Sequence, residues 1–310
     1  MCMVSRGVSP AQRAGLWGLM MLFGCCTLLW GAPAERNVIY GMHSGLALLM
    51  DVYKPVEGNG YGVVVIPGSG WHATVGYGAQ PLKEGREFAA HVERLVAKGY
   101  TAFVINHRAA PVYRYPDAVH DAQRAVRYVR HHARRYGIRA ERIGALGGSS
   151  GGHLVNLLGV LDGKGDGEAE DPVERESAKV QTVVALYAPS DMAKVDTAFG
   201  SVTVTAFLGM RTPRSDLPRN TAEARLYREA SPVTHVSADD PPFLLLHGDA
   251  DAVVPYGQSE TMEAALRRAG VEVKLVRVPG GGHGSSFPGA KEKVDWAGMA
   301  VEWFDGHLRK

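Results

Sequence analysis

Short runs rich in Val, Ile and Leu alternate along the chain with longer amphipathic stretches, and this alternation constrains the fold more than any other feature. Strands of a parallel sheet are buried on both faces and read as nearly continuous apolar runs, while the connections between them are usually helices. The sequence therefore predicts an α/β fold with a mostly parallel central sheet flanked by helices. The predicted strands are Leu46–Tyr53, Gly62–Ile66, Thr101–Asn106, Arg142–Leu146, Val180–Tyr187, Phe243–His247 and Val271–Val278.

The stretches between these strands carry apolar residues at helical spacing. Gly99, Gly137 and Gly270 each follow one of them directly, and glycine is the usual residue just past the end of a helix. The predicted helices are Glu84–Lys98, Ala118–Tyr136, Gly151–Leu161, Gly257–Ala269 and Val294–Leu308.

Two polar stretches interrupt the alternation. Residues 162–177 hold seven acids, which predicts a solvated loop; a calcium loop is disfavoured, because Lys164 and Val173 occupy positions that would need acids. Residues 190–231 form a long polar connection with helix-like fragments, and a connection of this size over a sheet is usually a lid or a binding loop. We expect it to shape a substrate pocket.

Residues 1–34 have the composition of a secretory signal peptide. Arg6 and Arg13 precede an uncharged stretch, Ala14–Ala34, which ends in the small-x-small triplet Ala32–Ala34. We expect cleavage before Glu35, with 35–310 folding as one catalytic domain. An uncleaved anchor is the alternative, because the uncharged stretch is close to the roughly 20 residues that span a bilayer.

The positions of the cysteines and the net charge restrict where the protein is expected to act and which partners it is expected to bind. Cys2, Cys25 and Cys26 all precede the expected cleavage site, so the mature chain must fold without a disulfide or a thiolate zinc site. We expect a secreted or periplasmic protein with no membrane insertion after cleavage; a lipoprotein attached at Cys25 is less favoured. The net charge is +2, which gives no reason to expect a nucleic-acid partner.

A glycine-rich turn between a predicted strand and a predicted helix marks a candidate nucleophile. Residues 147–152 read Gly-Gly-Ser-Ser-Gly-Gly, the nucleophile-elbow pattern, in which small residues two before and two after the serine let helix and strand pass closely. The pattern occurs in two frames, so spacing alone allows Ser149 or Ser150. A flexible turn or a phosphate-binding nest is the alternative interpretation.

A serine nucleophile needs a histidine base that is oriented by a carboxylate. Asp249 and Asp251 follow the strand Phe243–His247, and His283 follows the strand Val271–Val278 within a run of glycines. Both positions lie after the carboxyl end of a strand, where open α/β sheets place functional groups. The order Ser, Asp, His matches the hydrolase arrangement. His283 is the predicted base, and either aspartate could orient it.

A further glycine-rich loop follows the strand Gly62–Ile66. Residues 67–71 read Pro-Gly-Ser-Gly-Trp, and the backbone N–H groups of Ser69 and Gly70, together with that of the residue after the nucleophile, could form an oxyanion hole. A dinucleotide-binding loop is the competing interpretation. It is disfavoured because the next strand ends in Asn106 instead of an acid that would hold a ribose.

These motifs together resemble the α/β-hydrolase family, specifically its small esterases of the hormone-sensitive-lipase and acetyl-xylan or feruloyl-esterase-like type. The resemblance runs along most of Val38–Leu308. The family elbow reads Gly-x-Ser-Ala-Gly-Gly, which implies Ser149 as nucleophile and Ser150 as an oxyanion donor, and the family acid falls on Asp251.

One departure from the family pattern matters for the oxyanion loop. The family loop His-Gly-Gly-Gly-Trp begins here with Pro67, so a histidine that commonly braces the loop is missing. Trp71 and Tyr77 are expected to line the acyl or sugar pocket. Simple packing is the alternative for both.

The expectation is therefore an exported serine esterase for small acyl esters, with no cofactor or metal; the resemblance implies acetyl or feruloyl groups on plant polysaccharide. A serine peptidase of the prolyl-oligopeptidase type is one rival. A hydrolase-like binding protein without activity is the other.

Overall fold

The computed structural model describes residues 32–209 and 220–309; the predicted signal peptide lies almost wholly outside these ranges. Eight strands form one sheet in the order β1-β2-β4-β3-β5-β6-β7-β8. The pairs β1–β2 and β2–β4 are antiparallel and all other neighbours are parallel, which confirms the predicted mostly parallel sheet. The strands are β1 Glu35–His43, β2 Leu46–Tyr53, β3 Gly62–Ile66, β4 Thr101–Ile105, β5 Ile143–Gly148, β6 Thr182–Leu186, β7 Phe243–Gly248 and β8 Val273–Val278.

Helices flank this sheet. Within the described ranges none is long and apolar enough to cross a membrane. The helices are α1 Ala89–Ala97, α2 Asp117–His131, α3 Ala133–Tyr136, α4 Ser150–Val160, α5 Ala198–Leu208, α6 Ala222–Glu229, α7 Gly257–Arg268 and α8 Trp296–Leu308.

Three elements differ from the prediction. The edge strand β1 was not predicted, because several of its side chains are exposed and its sequence lacks a continuous apolar run. Helix α1 begins only at Ala89, since Gly85 is extended and separates two short 3₁₀ turns before it. The long helix expected over Ala118–Tyr136 is interrupted at His132 and continues as α3, which ends at the predicted stop, Gly137, in the left-handed conformation.

The acidic stretch 162–177 packs against helix α2 and is not simply a solvated loop. Arg124 pairs with Asp171 at 2.7 Å and with Glu174 at 2.8 Å, and the guanidinium of Arg130 donates to backbone carbonyls of residues 177 and 179. The arginines of α2 therefore attach this connection to the domain.

The predicted lid, 190–231, is partly described: it contains α5, α6 and one short 3₁₀ turn, Met192–Lys194, and its residues 210–219 lie outside the described ranges. Helix α5 contacts the rest of the domain through Phe207, whose ring stacks on Trp71 at 4.6 Å. The Trp71 indole N–H donates to His153 Nδ1 (3.2 Å), and His153 Nε2 lies 2.7 Å from the carbonyl oxygen of Ala230. His153 thus links the glycine-rich loop after β3 to the end of the 190–231 segment.

A completely buried ion pair joins the long loop that follows β3 to strand β2. Lys83 and Asp51 are 0 % and 1 % exposed, and Lys83 Nζ lies 3.0 Å from Asp51 Oδ1. The same carboxylate oxygen accepts the backbone N–H of Asn37 at 2.9 Å. Lys83 Nζ also lies 3.3 Å from Glu84 Oε1. Because the carboxylate of Asp51 is removed from water, it is tolerated in the fold only together with the cation of Lys83.

Replacing Lys83 with Met should lower the free energy of unfolding by about 3–5 kcal/mol, because it leaves the buried carboxylate of Asp51 without its cation. The control is Lys54→Met, which removes a partly exposed pair with Glu35 and should cost about 1 kcal/mol or less. Urea unfolding of both variants measures the difference; equal losses would contradict it.

Burial of three histidines makes the fold sensitive to acid. Burial lowers the pKa of His153 and that of His91 to about 4, below the usual 6.5, and it lowers the pKa of His107 as well. The unfolded chain therefore binds more protons than the folded one between about pH 6.5 and 4, and the free energy of unfolding falls as the pH is lowered through this window.

His153→Gln should make this dependence shallower by about one proton, because the proton that His153 takes up on unfolding is removed. His43→Gln, at an exposed position, should leave the slope unchanged. Urea unfolding between pH 7.5 and 4.5 gives the slopes, and an identical slope for wild type and His153→Gln would contradict the assignment.

Candidate active site

Ser149 lies on a sharp turn between strand β5 and helix α4. Its φ of +53° is in the left-handed region, which a serine adopts only when the surrounding structure holds it there. A Cβ on Gly147 would lie 2.5 Å from the carbonyl oxygen of Gly151, and one on Gly151 would lie 2.0 Å from that of Ile66. Ser150 is instead the first residue of α4. The geometry therefore selects Ser149 from the two frames that the spacing allowed.

The two other predicted members of the triad meet Ser149. His283 Nε2 lies 3.0 Å from Ser149 Oγ, and His283 Nδ1 lies 2.7 Å from Asp251 Oδ2. Asp251 is completely buried, whereas the side chain of His283 is 21 % exposed. The chain of hydrogen bonds runs from a buried carboxylate, through an imidazole, to a serine at the edge of the site.

Asp251 is held as a carboxylate. Burial by itself would raise its pKa, but hydrogen bonds from His247 and His283 and the N–H of Val254 together keep that pKa well below its usual range. The second oxygen accepts the N–H groups of Val253 and Val254 at 2.8 and 2.9 Å. Asp251 therefore stays charged and keeps the proton of His283 on Nδ1, leaving Nε2 to accept a proton from Ser149.

Asp249, the other candidate acid, does not contact His283. One of its oxygens accepts the N–H of Gly280 at 2.7 Å, and the other accepts from Arg277 Nε at 2.9 Å. It connects the loop after β7 to the loop that carries His283.

The predicted oxyanion loop lies beside the elbow, but its donors are not equivalent. The Ser69 N–H donates to Ser150 Oγ at 2.9 Å, so in this structure it is already satisfied and the prediction that it serves the oxyanion does not fit. Ser150, as the first residue of α4, has an N–H without an intrahelical acceptor. Gly70 adopts φ +64° within the turn. The N–H groups of Gly70 and Ser150 remain the predicted pair of donors.

The two aromatic residues predicted for the pocket have different positions. Trp71 is only 2 % exposed and contributes part of the wall of a small cavity beside Ser149, whereas Tyr77 is fully exposed on the loop after it. The cavity leaves about 10 Å³ for the centre of a water molecule, which is room for about one water. Its other walls include Pro189, Val195, Phe199, Gly200, Thr203, Val253 and Val254.

Two further residues at the site were not recognised in the sequence. Tyr187 directly follows β6, and its ring packs edge-on against His283 at 4.7 Å. Its hydroxyl donates to Glu87 Oε1 at 2.8 Å. Tyr187 could have been found from the sequence, because it lies at the carboxyl end of a strand. Glu87 lies in a 3₁₀ turn before α1, and no sequence pattern marks it.

A family model described as BD-FAE matches residues 50–266. The probable carboxylic ester hydrolase LipM of Mycobacterium tuberculosis is 30 % identical over 276 residues, which is 87 % of this chain and 60 % of LipM. Esterase LipC of the same organism is 30 % identical over 81 % of this chain and 59 % of LipC. The chain thus spans about 60 % of the length of these relatives.

Solved structures are similar as well. A truncated carbohydrate esterase from gut microbiota superposes with a TM-score of 0.73 and 28 % identity, covering 90 % of this chain and all of that one. An acetyl ester-xyloside bifunctional hydrolase from Caldicellulosiruptor lactoaceticus gives 0.73 and 26 % identity, covering 89 % and 97 %. With its sheet, its elbow and these matches, the chain belongs to the BD-FAE family and has the α/β-hydrolase fold.

Proposed function

We propose that this protein is an exported serine carboxylic ester hydrolase that acts on esters of small acyl groups. The hydrogen-bonded series Asp251–His283–Ser149 is the observation that carries the proposal. The cited relatives and similar structures are named esterases or ester hydrolases, which supports the same reaction.

In the proposed reaction, His283 Nε2 takes the proton of Ser149 as Oγ attacks the ester carbonyl carbon. The N–H groups of Gly70 and Ser150 stabilise the tetrahedral oxyanion, and the dipole of α4 adds to this because its N-terminus lies at the elbow. The protonated His283 then donates to the departing alcohol oxygen. Water, activated by the same histidine, hydrolyses the acyl-enzyme and releases the acid.

The acyl group that fits the site best is acetyl. The cavity beside Ser149 has room for about one water and is walled by Val195, Phe199 and Val254, which favours a short apolar group over a feruloyl group. Two of the similar structures are described as a carbohydrate esterase and as an acetyl ester-xyloside hydrolase, which supports an acetylated carbohydrate as substrate.

Export is part of the proposal because residues 1–34 have the pattern of a signal peptide. N-terminal sequencing of the protein from culture fluid or periplasm should find Glu35 as the first residue, and an intact N-terminus would contradict cleavage.

Ser149→Ala should reduce hydrolysis of p-nitrophenyl acetate by about 10⁴-fold or more, because the nucleophile is removed. Ser150→Ala should reduce it only about tenfold, since it removes the acceptor of the Ser69 N–H but keeps the backbone donor. The measurement is kcat/KM of the folded variants of 35–310. The reverse order would place the nucleophile at Ser150, and a folded wild type that cleaves aminoacyl anilides but no acetate ester would favour the peptidase rival.

Asp251→Asn should lower kcat by about 10³–10⁴-fold without unfolding the protein, because an amide no longer holds His283 in the required tautomer. The matched control, Asp249→Asn, alters a carboxylate in the same loop that contacts Gly280 and Arg277 and not His283, and it should lower kcat less than about tenfold. Steady-state kinetics with p-nitrophenyl acetate compares the two. Equal losses would show that Asp251 has no special role.

A further inference from the structure

A carboxylate that the triad does not use lies beside the nucleophile. A Cβ placed on Gly68 would be 2.9 Å from Ser149 Cβ and 3.1 Å from Glu87 Oε2, so the nucleophile and the Glu87 carboxylate border the same small space. Glu87 comes from the turn before α1, and nothing in the sequence motifs accounts for an acid at this position.

The carboxylate is fixed in place and has one oxygen free. Tyr187 donates to Oε1, and Ser285 Oγ donates to the backbone carbonyl of Glu87. Within the described ranges, no other side chain donates to the Glu87 carboxylate and no ion pair includes it. Oε2 is therefore a preorganised acceptor beside the space that Ser149 also borders.

The position of Glu87 corresponds to the alcohol side of an ester. The departing alcohol oxygen must take its proton from His283, so the alcohol part has to lie on the side of that histidine. Glu87 is attached to this side through Tyr187, which packs on His283, and through Ser285, two residues after His283. The apolar cavity suited to the acyl group is lined by other segments and does not include Glu87.

We propose that Glu87 Oε2 binds a free hydroxyl on the alcohol part of the ester, next to the acylated oxygen, and thereby selects esters of polyols such as sugars. This inference about Glu87 rests on the proposed function. A hydroxyl has one proton to donate and matches the single free oxygen, whereas an ammonium group brings three donors and would need more acceptors than Glu87 offers. The charge also disfavours anionic alcohol parts such as uronates.

The test uses two acetates that differ by one hydroxyl, the monoacetate of trans-1,2-cyclohexanediol and cyclohexyl acetate. Both give the same acetyl-enzyme, so kcat/KM compares the alcohol parts alone. Wild type should prefer the diol monoacetate, and Glu87→Gln should reduce the ratio of the two kcat/KM values about tenfold, the effect expected from weakening a hydrogen bond to a charged group. Glu87→Asp, which withdraws the carboxylate by one methylene, should reduce the ratio as well, and Glu93→Gln, at an exposed position on α1, should keep it.

Other results of these measurements would overturn the hydroxyl site at Glu87, either alone or together with the proposed esterase activity. If Glu87→Gln lowers both values equally, Glu87 acts on His283 or on folding and the hydroxyl site is wrong, while the esterase proposal stands. Acetylcholine serves as a third substrate, because its alcohol part carries a quaternary ammonium group. If Glu87→Gln lowers kcat/KM for acetylcholine alone, the site takes a cation and the proposal is overturned. If folded wild type hydrolyses neither cyclohexyl ester nor p-nitrophenyl acetate, the proposed function fails and this site fails with it.

Discussion

The arrangement of the site depends on the buried carboxylate of Asp251. Its side chain is shielded completely from water, and a charge in such a place is tolerated only when its oxygens are fully hydrogen-bonded. Two backbone N–H groups of the loop itself satisfy Oδ1, so the loop after β7 must close on its own carboxylate. Oδ2 is left to His283, with His247 Nε2 at 3.4 Å on its other side. The base is therefore oriented by a carboxylate that is itself held by two backbone N–H groups.

The parallel sheet brings the remaining groups to this carboxylate. The glycine-rich loop follows β3, Ser149 follows β5, Tyr187 follows β6, Asp251 follows β7 and His283 follows β8, and neighbouring parallel strands end at the same edge of the sheet. Residues far apart in the sequence thereby become neighbours at one edge of the sheet. His247, the penultimate residue of β7, binds Ser259 and the carbonyl of Val254 and so fixes where the loop of Asp251 begins.

Sequence patterns predicted the elements and motifs that depend on neighbouring residues in the chain. They failed for features that depend on contacts with residues distant in the sequence. The buried strands, the elbow and the Ser, Asp, His order were visible because each is a short pattern of apolar residues, glycines or strand ends. The edge strand β1 was not, since its residues are half exposed and it is a strand only because β2 lies beside it. The choice between Ser149 and Ser150 needed the backbone conformation, and Glu87 needed the fold, because a glutamate in a polar turn has no motif of its own.

Two departures from the family pattern meet at one contact. The family loop His-Gly-Gly-Gly-Trp has glycine where this chain has Ser69, and the family elbow has alanine where this chain has Ser150. In the structure the Ser150 hydroxyl accepts the N–H of Ser69, which ties the glycine-rich loop directly to the first turn of α4. This contact uses one of the donors that the sequence assigned to the oxyanion, but it holds the next residue, Gly70, against the elbow. Trp71, which follows, is anchored by His153 from the same helix, so both ends of the loop's critical turn are attached to α4. The nucleophile and the expected oxyanion donors are thereby positioned by one helix, and a shift of that helix would move them together.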